Sequence, residues 1–517
     1  MKRRNFVKNM ALSSIGMPFV LNNIQLQTIQ QKLFNFAKSA EDRVLVIIRL
    51  NGGNDGLNTV IPIDQYDNLN IQRANILIPE NQLLDLGQSN LSLHPSMAGM
   101  QTLFQQGQLG IIQNVGYPDQ NRSHFRSMDI WSAGSLDPYE HKGWLGRHFD
   151  DYYPNYPDDY PNTQYPHPFA ISMGYNVSET CQGLMANFSQ AIANPLDSIT
   201  LPNSNTVDDG TYYGSHMAYL QNLVDQTNAY GHQIYNATNA GSTLSQLYDA
   251  NNPLAVHLRY VARMISGGLQ TKVYILNIDG FDTHSGQVTQ GNVTAGKHAD
   301  LLKTLSDAVY AFQDDLNLLG LNQRVAGFTF SEFGRQIASN ASFGSDHGDA
   351  APMFLFGQCI TSQVIGSNPV ISNTIENQAG VAMQIDFRDV YASLLKDWFL
   401  VPEEDINPLF DHTIQDLDIL GSCNLGVDGL DKNKNSLALF PNPATNTTNL
   451  RFTANNRAYT LHIVDTTGAV VAEVFANKQL DGEHTVQIDI SSLVNGHYMV
   501  VIRDGITEKS AKLIVIK

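Results

Sequence analysis

The sequence predicts an α/β protein with a mostly parallel sheet flanked by helices, followed by a small all-β sandwich. Three apolar runs, at residues 44–50, 272–278 and 325–330, are continuous, which is typical of strands buried on both faces. Between the last two runs, apolar residues from Leu302 to Leu319 recur three and four positions apart, which predicts an amphipathic helix. This strand–helix–strand order favours parallel pairing.

The remaining elements of the core are predicted from weaker patterns. Apolar spacing predicts a helix around residues 97–104, and residues 109–115 form a further strand. Alternating prolines in residues 150–168 predict a rigid surface excursion, with calcium binding as the alternative. Residues 172–252 indicate mostly helix and loop, and residues 386–400 a core helix that begins at a capping aspartate.

Length and composition limit the class of protein. The 517 residues are too many for one ordinary domain, so we expect a large core with an appendage. The net charge of −18 argues against a general nucleic-acid binder, which needs clustered basic residues. The three cysteines, Cys181, Cys359 and Cys423, lie far apart and predict neither a zinc motif nor a disulfide framework.

Residues 1–40 are predicted to be an export signal and leader. Arg3 and Arg4 precede a modest apolar run at residues 10–21, as in a twin-arginine signal; a basic amphipathic start to the fold is the alternative. The run is too short for a spanning helix, and we expect no transmembrane segment. The predicted partner is therefore secretion machinery.

The chain is predicted to divide near its C-terminus. The core takes residues 41–420, and residues 421–436 are a linker by composition because they lack apolar periodicity. Residues 437–517 alternate in hydrophobicity over short segments separated by turns, which predicts an all-β sandwich.

Polar residues follow the ends of the predicted strands. The carboxyl ends of parallel strands meet at one edge of a sheet, where crevices form. Carboxylates and imidazoles at that edge suit a divalent metal such as Zn, Ca, Mg or Mn. The predicted metal ligands are Asp55, Asp282, His284, Glu332, Asp346 and His347. Tight turns and polar surface loops are the alternative.

The segment after residues 109–115 is predicted to supply catalytic groups. Ser123 and His124 lie between Arg122 and Arg126 at a loop-to-helix junction. A hydroxyl there would meet helix N–H groups and two guanidiniums, which suits an anionic oxygen nearby. The alternative is that Ser123 only caps the helix.

Several motifs resemble one bacterial family, catalogued as domain of unknown function 1501. They are RLNGGNDGLNTVIP, NVGYPDQNRSHFRSMDIW, GFDTHSGQ, SEFGR with GSDHGDAAPMF, and DFRDVYASLLKDWF. The resemblance covers residues 43–420. That family looks like a distant branch of the alkaline phosphatase and sulfatase superfamily. The resemblance therefore implies an alkaline phosphatase-like core that hydrolyses phosphate or sulfate esters at a divalent metal site.

The resemblance assigns roles to individual residues. Asp55 matches the metal carboxylate after the first strand, and Ser123 lies near the nucleophile position. Asp282 and His284 resemble the third motif, with a shorter spacing than usual. His347 matches the late histidine before an apolar strand.

Two departures from the superfamily pattern stand out. Phe333 stands where a histidine ligand is expected, and Asp346 is a candidate substitute. The sulfatase nucleophile motif is absent around Ser123, which disfavours a formylglycine sulfatase.

The C-terminal segment resembles the type IX secretion sorting domain. The match is carried by LFPNPATNTTNLRF, VDTTGAVV, NGHYMVVIRDG and KLIVIK, and it covers residues 437–517. It implies passage across an outer membrane to the cell surface or the medium.

Two functions remain open from the sequence. One is a secreted, metal-dependent hydrolase of phosphate or sulfate esters, in which water or Ser123 attacks an anionic ester and an arginine neutralises developing charge. The other is a non-catalytic secreted or cell-surface binding protein on a degenerate hydrolase scaffold. The acids and histidines at the strand ends favour the first, and Phe333 favours the second.

Overall fold

The computed structural model describes residues 42–88, 90–197, 201–202, 209–361, 363–421, 438–440, 442, 444–465, 470–503 and 508–517. The predicted export signal and all but the first residue of the predicted linker lie outside these ranges. The chain divides into two compact units, Met1–Leu425 and Gly426–Lys517. No helix in the described ranges has the length and apolarity needed to cross a membrane.

The described part of the first unit contains both strands and helices. Its strands are β1 (Val44–Asn51), β2 (Val60–Pro62), β3 (Leu84–Asp85), β4 (Leu91–Leu93), β5 (Leu109–Gly116), β6 (Ala170–Met173), β7 (Ser189–Ile192), β8 (Val273–Asp279), β9 (Val325–Phe330), β10 (Ala351–Gly357), β11 (Val364–Ile365) and β12 (Ile385–Asp386). Its helices are α1 (Tyr66–Arg73), α2 (Ala98–Gln105), α3 (His124–Ala133), α4 (Trp144–Tyr152), α5 (Tyr212–Ala240), α6 (Pro253–Ser266), α7 (Lys297–Leu318), α8 (Phe387–Ser393) and α9 (Glu403–Ile406).

A nine-stranded sheet forms the centre of this unit. Its order is β11-β5-β10-β9-β1-β8-β6-β7, and β12 also pairs with β5. β1 is parallel to β8 and β9, and β6 is parallel to β7 and β8. β10 runs antiparallel to both of its neighbours, β5 and β9. The predicted α/β fold with a mostly parallel sheet is therefore confirmed, and β10 is the strand that runs in the opposite direction.

Helices cover both faces of the sheet. In β1, Val46 and Ile48 pack into a core with α2, α6 and α7. Leu45 and Ile47 point to the opposite face and pack with α3, α4 and α8. Burial on both faces explains why the strand is a continuous apolar run in the sequence.

Some expectations for this unit differ from the structure. β7 lies in residues 172–252, which were expected to be helix and loop, and β6 begins two residues before that segment. Strands of four residues are too short to show a period in the sequence. In residues 150–168, Tyr156 and Tyr160 are buried and pack around Phe169, so the loop covers core rather than extending from it.

Cys359 is disulfide-bonded, although the cysteine spacing predicted no disulfide framework. Distance along the chain does not determine distance in the folded protein, so sequence spacing could not reveal the bond. Cys181 is free and buried.

The second unit is all-β, as predicted. It consists of β13 (Ala438–Phe440), β14 (Thr447–Val464), β15 (Val470–Asp489), β16 (Gly496–Arg503) and β17 (Glu508–Val515). The sheet order is β13-β14-β16-β17, with β15 paired to β14 and every pair antiparallel. Its own core includes Leu450, Leu461 and Val500.

A buried polar layer lies where the first strand ends. Asp55 and Arg73 form an ion pair at 2.9 Å, and their side chains are at most 1% exposed. The Gln287 amide also donates to Asp55, at 2.5 Å. His298 Nε2 lies 3.0 Å from the Asn54 side-chain oxygen. This layer explains why polar residues follow an apolar strand: they bond to one another rather than to water.

Two histidines of this layer have strongly depressed pKa values. Burial lowers the pKa of His298 to about 4. Burial, reinforced by the neighbouring His298, lowers the pKa of His94 to about 3. Both rings are therefore neutral in the folded protein across the physiological range.

Removal of residues 426–517 should leave the first unit folded with an unchanged thermal midpoint. The reason is that each unit has its own core, as independent domains do. Calorimetry of the shortened and full-length chains measures the midpoint. An insoluble product, or a large fall in its midpoint, would contradict independence of the two units.

The free energy of unfolding should fall as the pH is lowered from about 6.5 towards 4. In this window the unfolded chain protonates both histidines, whereas the folded protein does not. Each ring then removes about 1.4 kcal/mol of stability per pH unit. Urea unfolding at several pH values measures the slope of stability against pH. His298→Asn should reduce that slope by about 1.4 kcal/mol per pH unit, the contribution of one ring. An unchanged slope in that variant would show that His298 does not titrate in this way.

Candidate metal centre

Four segments of the first unit meet at one edge of the sheet. β8 leads into Asp282 and His284, β9 leads into Glu332, and the segment after β5 enters α3 at His124. β5, β8 and β9 all end at this edge. Because β10 runs in the opposite direction, the loop before it, which carries His347, stays there too. The reversal of β10 therefore completes the cluster.

Three histidine side chains converge on the carboxylate of Asp282. His347 Nε2 and His284 Nε2 each lie 3.2 Å from Asp282 Oδ1. His124 Nε2 lies 3.6 Å from Asp282 Oδ2. One ligand atom from each of His124, Asp282 and His347 lies within 4.8 Å of the others, close enough for one ion to contact all three.

The opposite nitrogen of each ring contacts a fixed oxygen. The Nδ1 contacts are His124 with Glu332 Oε1 at 2.7 Å, His284 with Asp346 Oδ1 at 2.7 Å, and His347 with the Arg122 backbone oxygen at 2.8 Å. A carboxylate or a carbonyl oxygen only accepts, so each Nδ1 carries the proton and donates it. A neutral ring then presents a lone pair at Nε2, as metal-binding histidines do.

Two of these lone pairs lie too close together to stand without a positive charge. His284 Nε2 is 2.9 Å from His347 Nε2. With both Nδ1 positions protonated, neutral rings would set two lone pairs against each other. Either a further proton or a cation must lie between them. The imidazole and carboxylate donors present suit a divalent metal, so the residues fit that group.

Buried charges hold the cluster in place. Burial alone raises the pKa of Glu332, but hydrogen bonds from His124 and the Gly52 N–H outweigh it, and the pKa falls below its ordinary value. For Asp282 a similar balance favours the anion. Burial raises its pKa, but the hydrogen bond and positive charge of Arg335, together with the neighbouring imidazole of His347, lower it to about 2. Both carboxylates are therefore ionised.

A glycine is required where β1 meets this cluster. Gly52 has φ of +122°, and a Cβ there would lie 2.2 Å from the Asp282 backbone nitrogen. Its N–H donates to Glu332 Oε1 at 2.9 Å. Any other residue at this position would be strained and would push the β1 and β8 loops apart.

A cavity of about 440 Å³ opens beside the cluster. Its lining includes His124, Asp282 and Glu332 from the cluster. Arg49 of β1 and Phe125 of α3 line it as well. This volume is within the usual range for a small-molecule site.

The predicted catalytic residues are placed differently from one another. His124 lines the cavity, whereas Ser123 is exposed and does not. Arg122 makes two bonds to the Asp349 carboxylate, at 2.9 and 2.8 Å. Arg126 donates to the Leu136 backbone oxygen at 3.2 Å. Both arginines thus hold other parts of the protein and do not line the cavity.

The predicted metal ligands also fall into two groups. Five of them come together in the cluster: Asp282, His284, Glu332, Asp346 and His347. His284 and His347 contribute converging Nε2 atoms, whereas Glu332 and Asp346 contact the Nδ1 atoms of His124 and His284. Asp55 lies in the buried pair with Arg73 instead, and both of its oxygens are already bonded.

Phe333 is packed among the histidines. It is buried, and its ring centre lies 5.0 Å from that of His124 and 4.6 Å from that of His347. It therefore supports the imidazoles sterically at a position where the resemblance expects a ligand.

Sequence reasoning missed two arginines of the site. Arg335 is fully buried and donates to Asp282 Oδ1 at 2.7 Å. Arg49 faces the cavity. An arginine inside the apolar run of β1 was a signal for the second, since an unpaired charge there needs an explanation.

Each of the two units matches a different protein family. Residues 42–410 match the family described as Protein of unknown function (DUF1501). Residues 438–517 match the Secretion system C-terminal sorting domain, which indicates export to the cell surface or the medium. No curated protein matches the chain.

Solved structures show only distant similarity. A protein in the alkaline phosphatase superfamily from Vibrio parahaemolyticus is 10% identical over 92% of this chain and 82% of that one, with a TM-score of 0.33. PsFucS1 sulfatase from Pseudoalteromonas sp. is 9% identical over 94% and 88%, with a TM-score of 0.31.

The type-IX secretion component PorZ of Porphyromonas gingivalis is 16% identical over 16% of this chain and 12% of that one, with a TM-score of 0.13. None of these similarities carries a conclusion about activity. The family match is of another kind, because it spans most of the chain and confirms the membership predicted from the motifs. The chain belongs to the family described as Protein of unknown function (DUF1501), and it ends in a secretion sorting domain.

Proposed function

We propose that this exported protein is a metal-dependent hydrolase of phosphate or sulfate esters. One observation carries the proposal: three imidazoles, each with its Nδ1–H bonded to an oxygen, direct Nε2 lone pairs towards Asp282. The 2.9 Å separation of two of these nitrogens supports the presence of a cation between them. A cavity large enough for a small substrate adjoins the cluster.

The residues that would hold the metal are His124, Asp282, His284 and His347. Imidazole with a single carboxylate favours zinc or another transition metal over calcium and magnesium, which prefer oxygen. When bound, such a metal polarises an ester oxygen and makes water a better nucleophile.

The remaining groups orient these ligands. Glu332 fixes the ring of His124 through Nδ1, and Asp346 does the same for His284. Carboxylate partners of this kind raise the basicity of a histidine ligand and set its tautomer. Arg335 donates to Asp282 Oδ1, the carboxylate oxygen that also lies nearest to His284 and His347.

Water is the proposed nucleophile. Among the described residues that line the cavity, there is no serine, threonine or cysteine. Ser123 therefore has no part in the proposed reaction.

The same absence supports a second candidate function, a metal-binding surface protein without catalytic activity. Phe333 adds to it, because an apolar ring fills a place where the superfamily pattern expects a ligand. The two candidates share the metal site and differ only in turnover of an ester.

The purified chain should bind a divalent metal, and His347→Ala and Asp282→Ala should each abolish both binding and hydrolysis. Alanine removes a ligand atom that no neighbour replaces. Elemental analysis after dialysis measures the metal, and generic phosphate and sulfate monoesters and diesters report hydrolysis.

The matched control is His257→Ala, which removes a half-buried histidine of α6 outside the cluster. It should retain both properties. A wild type that binds metal without hydrolysing any ester would favour the surface protein. Metal that survives both ligand substitutions would refute the site.

Asp55→Ala should lower the free energy of unfolding by about 3–5 kcal/mol, because it leaves Arg73 charged and buried without its partner. The folded fraction should keep its metal. Chemical denaturation and elemental analysis of the same preparation separate the two effects. Loss of metal at unchanged stability would instead make Asp55 a ligand.

A further inference from the structure

The guanidinium of Arg49 is an unusual feature of the cavity. Its side chain is only 14% exposed, and its Nε is buried without a hydrogen-bond partner among the described residues. The carboxylate that pairs with it, Glu179, is 4.0 Å away and 71% exposed. An ion pair of that length at the surface contributes little. Because Glu179 is distant and exposed, the guanidinium of Arg49 is available to an anionic ligand in the cavity that it lines.

The position of Arg49 in β1 directs it to the cavity. Alternate residues of a strand share a face, and Leu45, Ile47, Arg49 and Asn51 follow that rule. The first two are packed in the core, whereas the last two line the cavity. Asn51 likewise has a buried side-chain oxygen without a partner among the described residues. The face thus changes from apolar to hydrogen-bonding where the cavity begins.

The acidic residues of the cavity do not cancel the charge of Arg49. Asp282 is held by Arg335 at 2.7 Å, and Glu332 is held by His124 at 2.7 Å. Asp129 and Glu179 also line the cavity, and both are exposed to solvent. The deepest positive charge that is free to meet a ligand is therefore the Arg49 guanidinium.

An apolar wall faces the same space. Phe125 lines the cavity although the residue is 87% exposed, and Met128, one turn further along α3, lines it too. These two side chains give the polar cavity an apolar surface that a ligand can cover. Aromatic rings pack well against the flat apolar face of another ring.

We propose that the cavity selects an organic anion, with Arg49 binding its anionic group and Phe125 packing against its ring. Guanidinium is suited to this role because its planar donors match the oxygens of phosphate and sulfate. Arg49 thereby takes the role that the sequence suggested for Arg122 and Arg126. The ester that this site would accept is an aryl or similarly flat-faced phosphate or sulfate monoester. Its hydrolysis, though not its binding, rests on the proposed function.

Titration calorimetry with phenyl phosphate, phenyl sulfate and inorganic phosphate tests the proposal without turnover. The full chain is used, both after treatment with a chelator and with added zinc. Arg49→Gln should weaken binding of both phenyl esters at least tenfold, and Arg49→Lys should restore part of it. Phe125→Ala should weaken the phenyl esters severalfold and leave inorganic phosphate unchanged.

The control is Arg259→Gln, which removes a half-buried arginine of α6 outside the cavity and should bind like the wild type. Thermal unfolding verifies that each variant is folded, and the exposed Phe125 can be changed even if Arg49→Gln destabilises the chain. If the protein binds one of the two phenyl esters much more tightly than the other, the preferred anion is identified.

The outcomes separate this proposal from the proposed function. Arg49-dependent binding without metal or hydrolysis would uphold the inference and overturn the hydrolase. Hydrolysis of phenyl esters with no dependence on Arg49 would do the reverse. No binding of either ester by the wild type, or equal binding by Arg49→Gln, would overturn the inference.

Discussion

The buried guanidinium of Arg335 is the interaction on which the edge of the sheet depends. It is fully buried and donates to the backbone oxygens of Gly52, Gly53, Phe281 and Ser345. These oxygens belong to the loops after β1, β8 and β9. One charged group therefore ties three loops together, and its remaining bond is to the Asp282 carboxylate. A charge so deeply buried is tolerated only because nearly every donor has an acceptor. The position of Asp282 is thus set by the same contacts that fix the loops.

The reversed strand β10 gives this edge its density of polar groups. In an entirely parallel sheet, each strand delivers one loop to the edge, and a crossover returns the chain to the other side. Because β10 starts at the edge where β9 ends, the whole segment between them remains there. That segment supplies Glu332, Arg335, Asp346 and His347 without a crossover helix. A single antiparallel pair thus brings four polar side chains from one stretch of sequence to the site.

Much of the fold could be predicted from the sequence, because buried strands and amphipathic helices have characteristic patterns of apolar residues. β9 has the predicted bounds, and β1 and β5 end one residue later than expected. The direction of β10 could not be predicted, since a buried apolar run reads the same in both orientations. β6 and β7 were too short to show a pattern.

The sequence predicted which residue types occupy the site and at which edge of the sheet they lie, but not which side chains each of them contacts. Asp55 and Asp282 both follow buried strands, yet one is neutralised by Arg73 and the other faces three histidines. Arg122 looked like an anion-binding group, but its donors are taken by Asp349. In each case the decisive partner lies far away in the sequence. His284 and His347 are likewise 63 positions apart, and their contact could not be read from the sequence either.

The buried layer around Asp55 contributes little to the charge near the Asp282 cluster. Asp55 is matched by Arg73, and burial keeps His298 and His94 neutral. The layer therefore adds no net charge that would repel a cation. The Nε2 atoms of the three histidines face the ionised carboxylate of Asp282, which also pairs with Arg335. Such an arrangement attracts a divalent cation through its first contacts rather than through the overall acidity of the chain, because interactions with distant surface charges are screened by salt.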